Sequence, residues 1–164
     1  MKKIQLAETL QEIRFLHDIL PAHLEKLVKA ATLRDYEEAA VVFREGDVAK
    51  YVYLVVAGKV SLEICAPSVG CKRILTVGPG ELLGWSALLV ETRLTATART
   101  IETTQLVELD AERLLALFDK NPRVGYEFTR RAMQAVSKRL SATRMQLLDV
   151  FGSQLPVAAH ANED

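Results

Sequence analysis

The chain has 164 residues, of which 49% are hydrophobic and 26% are charged, and its 21 basic side chains balance 21 acidic ones. This composition is typical of a globular domain with a buried core, and it excludes both a disordered chain and an overall basic nucleic-acid-binding protein. The amino terminus lacks the apolar stretch of a signal peptide, and the longest apolar run, 51–57, is far shorter than the roughly 18 residues of a membrane span. We therefore expect one cytoplasmic domain that does not associate with a membrane.

Residues 1–35 predict N-terminal helices. Apolar side chains recur at helical spacing on both sides of Pro21. Proline cannot continue one helix but is tolerated in the first turn of the next. We expect two helices that meet at this residue.

Residues 36–110 predict a β-barrel. Short β-rich runs alternate here with turns that contain glycine or proline, which is typical of a small antiparallel barrel or jelly roll. The runs are 41–43, 51–56, 59–64, 73–77, 95–101 and 104–109.

The two cysteines, Cys65 and Cys71, flank the loop of one predicted hairpin and could face each other across it. We expect two unpaired thiols, because disulfides are rare in a reducing cytosol. We also expect no metal site, because the three histidines lie outside the barrel segment.

Residues 111–151 predict C-terminal helices. Asp110 is placed to cap the first, and Pro122 starts a second that continues without another proline to about residue 150. Apolar and small side chains form one stripe along this second helix. The stripe consists of Val124, Phe128, Ala132, Ala135, Val136, Leu140, Thr143, Leu147 and Val150.

Such a long stripe exceeds what its own domain can cover, so it requires a partner. We expect a homodimer through residues 122–150 or docking on a partner protein. The residues predicted in this seam are Phe128, Ala132, Val136, Leu140 and Leu147. The arginines on the opposite face of this helix are interpreted as solvated rather than as a nucleic-acid-binding patch. Residues 152–164 are interpreted as a flexible tail.

Two motifs carry a resemblance to a known family. Residues 43–47 read Phe-Arg-Glu-Gly-Asp and precede a strand pair at 53–60, and residues 79–89 read Pro-Gly-Glu-Leu-Leu-Gly-Trp-Ser-Ala-Leu-Leu. With the order of helices, barrel and long helix, they resemble the cyclic nucleotide-binding domain of the catabolite activator protein (Crp/Fnr) family over residues 13–150. The resemblance implies a mainly β, double-stranded β-helix barrel with flanking helices, a regulatory role and a phosphate-binding cassette at 79–98.

The cassette also has a physical logic of its own. A glycine before a short apolar helix exposes unpaired backbone N–H groups, which attract an anion. Hydroxyl groups of Ser86 and Thr95 could add donors, and Ala96 is small enough to let a ligand approach. The predicted ligand site is Gly84, Trp85, Ser86, Ala87, Arg93, Thr95 and Ala96.

Two departures from the family pattern weaken this site. Trp85 replaces the glutamate that binds the ribose hydroxyl in the family, and Leu94 replaces the arginine that pairs with the cyclic phosphate. Arg93 stands one place earlier, where a strand would turn it to the other face. We expect weak or no binding of cyclic AMP or cyclic GMP, while another small anion, with Trp85 stacked on a purine, stays open.

Two functions remain at this point. The first is a stand-alone sensor that binds a small anionic ligand and signals through the C-terminal helix. The second is a ligand-free interaction module in which Trp85 and Leu94 fill the old pocket. We expect neither to be an enzyme, because no nucleophile–base pair or metal cluster is apparent. We also expect no DNA-binding domain, because only 14 residues follow Val150.

Overall fold

The computed structural model describes residues 2–89 and 92–154. Helices α1 (Lys2–Glu12) and α2 (Pro21–Val28) flank a 3-10 turn at Arg14–Leu16. Eight strands follow: β1 (Ala31–Tyr36), β2 (Val41–Phe43), β3 (Tyr51–Ala57), β4 (Val60–Ala66), β5 (Gly70–Val77), β6 (Leu82–Leu83), β7 (Thr97–Thr100) and β8 (Thr104–Asp110). Between β6 and β7 lies a 3-10 helix, Trp85–Leu88, here called the cassette helix. Helices α3 (Ala111–Lys120) and α4 (Pro122–Phe151) then precede a last 3-10 turn at Gly152–Gln154.

The strands form two antiparallel sheets, ordered β1-β8-β3-β6 and β2-β7-β4-β5. Apolar side chains from both sheets meet between them in a cluster that we call the barrel core. It contains Phe43, Tyr53, Val55, Val60, Val77, Leu83, Leu94, Ala98 and Leu106. This arrangement confirms the predicted jelly roll with flanking helices.

The other face of the first sheet is covered by the helices. Successive strand residues point to opposite faces, so Tyr53 of β3 enters the barrel core while Val52 and Leu54 face the helices. The second cluster, here called the helix-side core, therefore joins that sheet to all four helices. Its largest members include Leu10, Leu16, Leu27, Leu54, Leu109, Leu114 and Phe128.

Aromatic packing anchors the start of α4 in the helix-side core. The ring of Phe128 lies 5.2 Å from that of Phe15 and 5.4 Å from that of Phe118, measured between centroids. Gly125 permits this approach, because a Cβ atom there would lie 2.8 Å from the Cβ of Phe118. The first three turns of α4 are thus part of the domain itself.

One predicted boundary differs from the structure. Strand β1 begins at Ala31, inside the segment predicted as helices, because residues 31–36 pair with β8 from Leu109 back to Thr104. This pairing joins segments about 70 residues apart, so local periodicity carries no sign of it. The tail predicted at 152–164 lies outside the described residues from 155 onward.

The expectation of two free thiols is wrong in this structure. Cys65 and Cys71 occupy directly opposite positions on β4 and β5, and their sulfur atoms form a disulfide with an S–S distance of 2.03 Å. The expectation depended on the compartment, whereas the hairpin register decides which side chains meet.

Reduction of this disulfide is expected to lower the free energy of unfolding by about 2 kcal/mol, because the bond closes a short loop in the unfolded chain. Thermal unfolding with and without a reductant measures the effect, expected as a shift of about 5 °C. The double variant Cys65→Ser with Cys71→Ser should unfold at the reduced temperature whether or not reductant is present. An unchanged unfolding temperature after complete reduction would contradict the prediction.

Candidate functional site

The cassette begins at a glycine that no other residue can readily replace. Gly84 has a φ of +70°, and a Cβ atom there would lie 2.9 Å from both the Tyr51 carbonyl oxygen and Cδ2 of Tyr53. Both the left-handed backbone and the close approach favour glycine. The cassette helix is therefore packed directly against β3.

Two backbone donors in the first turn of the cassette helix have no partner among the described residues. The N–H of Ala87 donates to the Gly84 carbonyl at 3.1 Å, but the N–H groups of Trp85 and Ser86 bond to no other residue that the structure describes. Ser86 itself is 5% exposed. The Thr92 hydroxyl donates to the Ser86 carbonyl and steadies the loop that follows.

Leu94 lies inside the barrel where the family pattern expects an arginine. Its side chain belongs to the barrel core, and two backbone bonds hold it, from Gly46 N–H to the Leu94 carbonyl at 2.8 Å and from Leu94 N–H to the Asp47 carbonyl at 2.9 Å. The barrel thus presents an apolar side chain at this position.

Arg93 does not replace the missing arginine. Its side chain is exposed, and Nη1 donates to the Gly46 carbonyl at 2.8 Å. Because neighbouring residues of an extended segment point to opposite sides, burial of Leu94 turns Arg93 outward. Thr95 is also exposed, while Ala96 is buried.

Trp85 lies on the other side of the first sheet. Its half-buried ring packs against the helix-side core, and Ala87 belongs to that same cluster. The indole therefore neither stacks on a base in the barrel nor fills the barrel as Leu94 does. Of the predicted ligand residues, Gly84 and Ser86 lie together at the start of the cassette helix, and Trp85 and Ala87 both pack in the helix-side core. Arg93 and Thr95 are exposed, and Ala96 is buried.

The sequence analysis missed an acidic residue in the barrel interior. Glu108 of β8 is 5% exposed, accepts a hydrogen bond from the Tyr36 hydroxyl, and lies 3.4 Å from Nε of Arg34. It pairs in register with Tyr53, whose ring reaches Gly84. The sequence contained one indication of this burial, because Glu108 stands two residues after Leu106 and therefore on the same inward face of β8.

Glu108 and burial together shift the titration of the two neighbouring phenols. Burial, followed by the charge of Glu108, raises the pKa of Tyr53, and burial together with the Glu108 hydrogen bond raises that of Tyr36. Both phenols therefore stay neutral, and the Glu108 carboxylate has Arg34 as its ion-pair partner.

The predicted seam of α4 needs a correction at its start. Phe128 and Ala132 are buried in the helix-side core of their own domain, so neither is free to contact a second copy. Val136 is half-buried, and Leu140 and Leu147 are each 50% exposed. Beyond Ala132, the exposed large apolar side chains of α4 are Met133, Leu140, Met145, Leu147, Leu148, Val150 and Phe151.

Comparisons with known proteins identify the family. A family model described as "Cyclic nucleotide-binding domain" matches residues 33–121, which is more than half of the chain. The chain belongs to the cyclic nucleotide-binding domain family. The resemblance that the cassette and turn motifs indicated is thereby confirmed.

Relatives of this cyclic nucleotide-binding domain include regulators. It is 32% identical to the "Cyclic AMP receptor protein" of Thermus thermophilus over 110 residues, covering 67% of this chain and 51% of that protein. A "CRP-like cAMP-activated global transcriptional regulator" of Mycobacterium tuberculosis is 25% identical over 150 residues, covering 91% of this chain and 65% of that one. The chain thus spans about half to two thirds of the length of these relatives.

Solved structures share the fold of this domain. The Thermus thermophilus Catabolite Activator Protein matches with a TM-score of 0.67 at 29% identity, covering 83% of this chain and 63% of that one. A cyclic nucleotide-binding domain from Methylobacillus flagellatus matches with a TM-score of 0.77 at 18% identity, covering 98% of this chain and 87% of that one. Among the residues that the structure describes, no helix is long and apolar enough to span a membrane, and no group of side chains suits a metal ion.

Proposed function

We propose that this cyclic nucleotide-binding domain is a regulatory interaction domain that acts through α4 and binds cyclic AMP or cyclic GMP weakly or not at all. The observation that carries the proposal is the division of α4. Its first turns are buried in the domain, and its second half presents an apolar stripe to solvent.

The stripe has the spacing of a helix–helix seam. Its members step by three and four residues alternately, the heptad pattern that keeps one face turned toward a partner helix. We call it the α4 seam, and it consists of Met133, Val136, Leu140, Thr143, Leu147 and Val150. We infer that this seam forms a homodimer, with a partner protein as the alternative occupant.

Sedimentation of the unaltered chain over a range of concentrations tests whether the α4 seam forms a dimer. We expect a dimer at micromolar concentration that dissociates on dilution. A monomer at every concentration measured would contradict the homodimer.

Calorimetry with cyclic AMP tests the expected weak binding of cyclic nucleotides. The arginine fork and carboxylate of the family contacts are each worth roughly 1.5–3 kcal/mol, so loss of both weakens binding by about two to four powers of ten. Leu94 in the barrel core supports this expectation. A sub-micromolar dissociation constant for the unaltered protein would contradict it.

One observation favours a second candidate function, the sensing of a small anion at the cassette. The N–H groups of Trp85 and Ser86 bond to no other described residue, and residue 86 carries a hydroxyl group. A thermal-shift measurement with phosphate on the unaltered protein and on Ser86→Ala tests it. A shift that disappears in the variant would favour sensing, whereas no shift in either protein would favour the interaction domain.

A further inference from the structure

A groove of about 480 Å³ lies outside the barrel, between α4 and the body of the domain. One wall is the side of α4, and the other is formed by the turn at Arg14–Leu16 together with β5 and β6. Apolar parts of its lining come from Phe15, Leu75, Leu82 and Ala135. None of the predicted ligand residues from Gly84 to Ala96 lines it, although Gly80, Glu81 and Leu82 at the start of the cassette segment do.

The lining of this groove is strongly basic, although the chain as a whole is neutral. Four cationic side chains, Arg14, Arg131, Lys138 and Arg139, face a single carboxylate, Glu81. Within the part of the chain that the structure describes, none of the four forms a salt bridge. The carboxylate already accepts a hydrogen bond from the Gly78 N–H at 2.7 Å.

Backbone contacts hold the cations on both walls. On the α4 side, the Arg139 guanidinium donates to the Leu82 carbonyl, and Nη1 of Arg131 lies 3.4 Å from the Phe15 carbonyl. On the opposite wall, the Phe15 N–H donates to the Gly80 carbonyl at 3.2 Å, which places Arg14 beside Gly80. The fold thus fixes the guanidinium groups of Arg131 and Arg139 on the α4 wall, while the exposed side chains of Arg14 and Lys138 line the groove beside them.

Arg139 is the most desolvated of the four. Burial lowers the pKa of its guanidinium, and the charge of Glu81 opposes that shift. A guanidinium carries five N–H donors, and in Arg139 one of them is used by the carbonyl of Leu82. The remaining donors suit the paired oxygens of a phosphate.

We propose that this groove is a binding site for a small molecule that bears a diphosphate or two phosphates. Four cations on two walls match an anion with more than one charge, and the volume is that of a small-molecule site. The apolar lining gives room for an attached organic group, so free pyrophosphate and a nucleoside diphosphate share the recognised chemistry. Because such a ligand contacts both α4 and the barrel wall, it also holds α4 against the domain.

Calorimetry at low ionic strength tests the site, with inorganic pyrophosphate and ADP as the two probes on the full chain. We expect at least one of them to bind, and the two titrations distinguish the inorganic from the nucleotide source. Lys138→Gln and Arg14→Gln, both at exposed positions, should each weaken binding about tenfold. The matched control is Arg130→Gln, an exposed arginine of α4 that does not line the groove, which should leave the affinity within twofold.

Three results would overturn the proposal. The first is no binding of either probe, and the second is equal weakening by Lys138→Gln and Arg130→Gln, which indicates unspecific attraction to a basic helix. The third is loss of binding in Ser86→Ala with no effect of Lys138→Gln, which places the anion at the cassette instead. The oligomeric state of the unaltered chain is measured separately, so failure of the groove and failure of the α4 output are distinguishable.

Discussion

Leu140→Glu is expected to convert the proposed dimer into a monomer and to raise its dissociation constant at least about 100-fold. Leu140 lies in the middle of the α4 seam and is 50% exposed in the single chain. In a symmetric dimer the same surface occurs on both subunits, so the substitution introduces two carboxylates into one apolar interface. A buried charge without a partner costs several kcal/mol, and each 1.4 kcal/mol is about tenfold in affinity.

Sedimentation equilibrium measures this effect, and the fold of the variant is checked by its circular dichroism. The exposure of Leu140 predicts that the monomer itself folds normally. The matched control is Gln134→Glu, which places the same charge at an exposed position of α4 outside the seam. If Leu140→Glu remains dimeric, or if Gln134→Glu dissociates equally, the seam is not the interface.

Phe128→Ala is expected to reduce the free energy of unfolding by about 3–5 kcal/mol. The side chain is fully buried between the rings of Phe15 and Phe118, so truncation removes apolar contact and leaves a cavity. In a domain of this size such a loss lowers the unfolding temperature by about 10 °C. Because Phe128 ties α4 to the helix-side core, residues 122–132 should also exchange their amide hydrogens faster.

Chemical denaturation and hydrogen exchange measure these two effects. The matched control is Tyr126→Ala on the same helix, an aromatic residue that is 66% exposed and expected to change stability by less than about 0.5 kcal/mol. Equal destabilisation by the two substitutions would contradict the packing described for the helix-side core.

The elements that the sequence predicts well are those with a local cause. Helix α4 runs from Pro122 to Phe151, close to the prediction, because a proline suits its first turn and no proline interrupts it afterwards. The strands from β2 to β8 follow the β-rich runs between turns, except for the two-residue β6. The family resemblance likewise rested on motifs that are contiguous in the chain, and the match at 33–121 confirmed it.

The candidate site depends on contacts that no local pattern contains. A one-residue change in strand register would turn Arg93 into the barrel and Leu94 out of it. The sequence alone does not determine which of the two side chains enters the barrel. Likewise, Trp85 packs on the helix side, and only the pairing of β8 with β1 and β3 places Glu108 beside Tyr36 and Tyr53.

The sequence by itself determined the family, the order of elements and the absence of the two usual charged contacts, because each is encoded by neighbouring residues. The tertiary structure decided which faces are buried, that Phe128 belongs to the core rather than the seam, and that Arg14 and Arg139 line one groove. The physical reason is the same in each case. Periodicity specifies which side chains share one face of a helix or strand. The segment that packs against that face is selected by tertiary contacts, which can join distant parts of the chain, as β1 and β8 show.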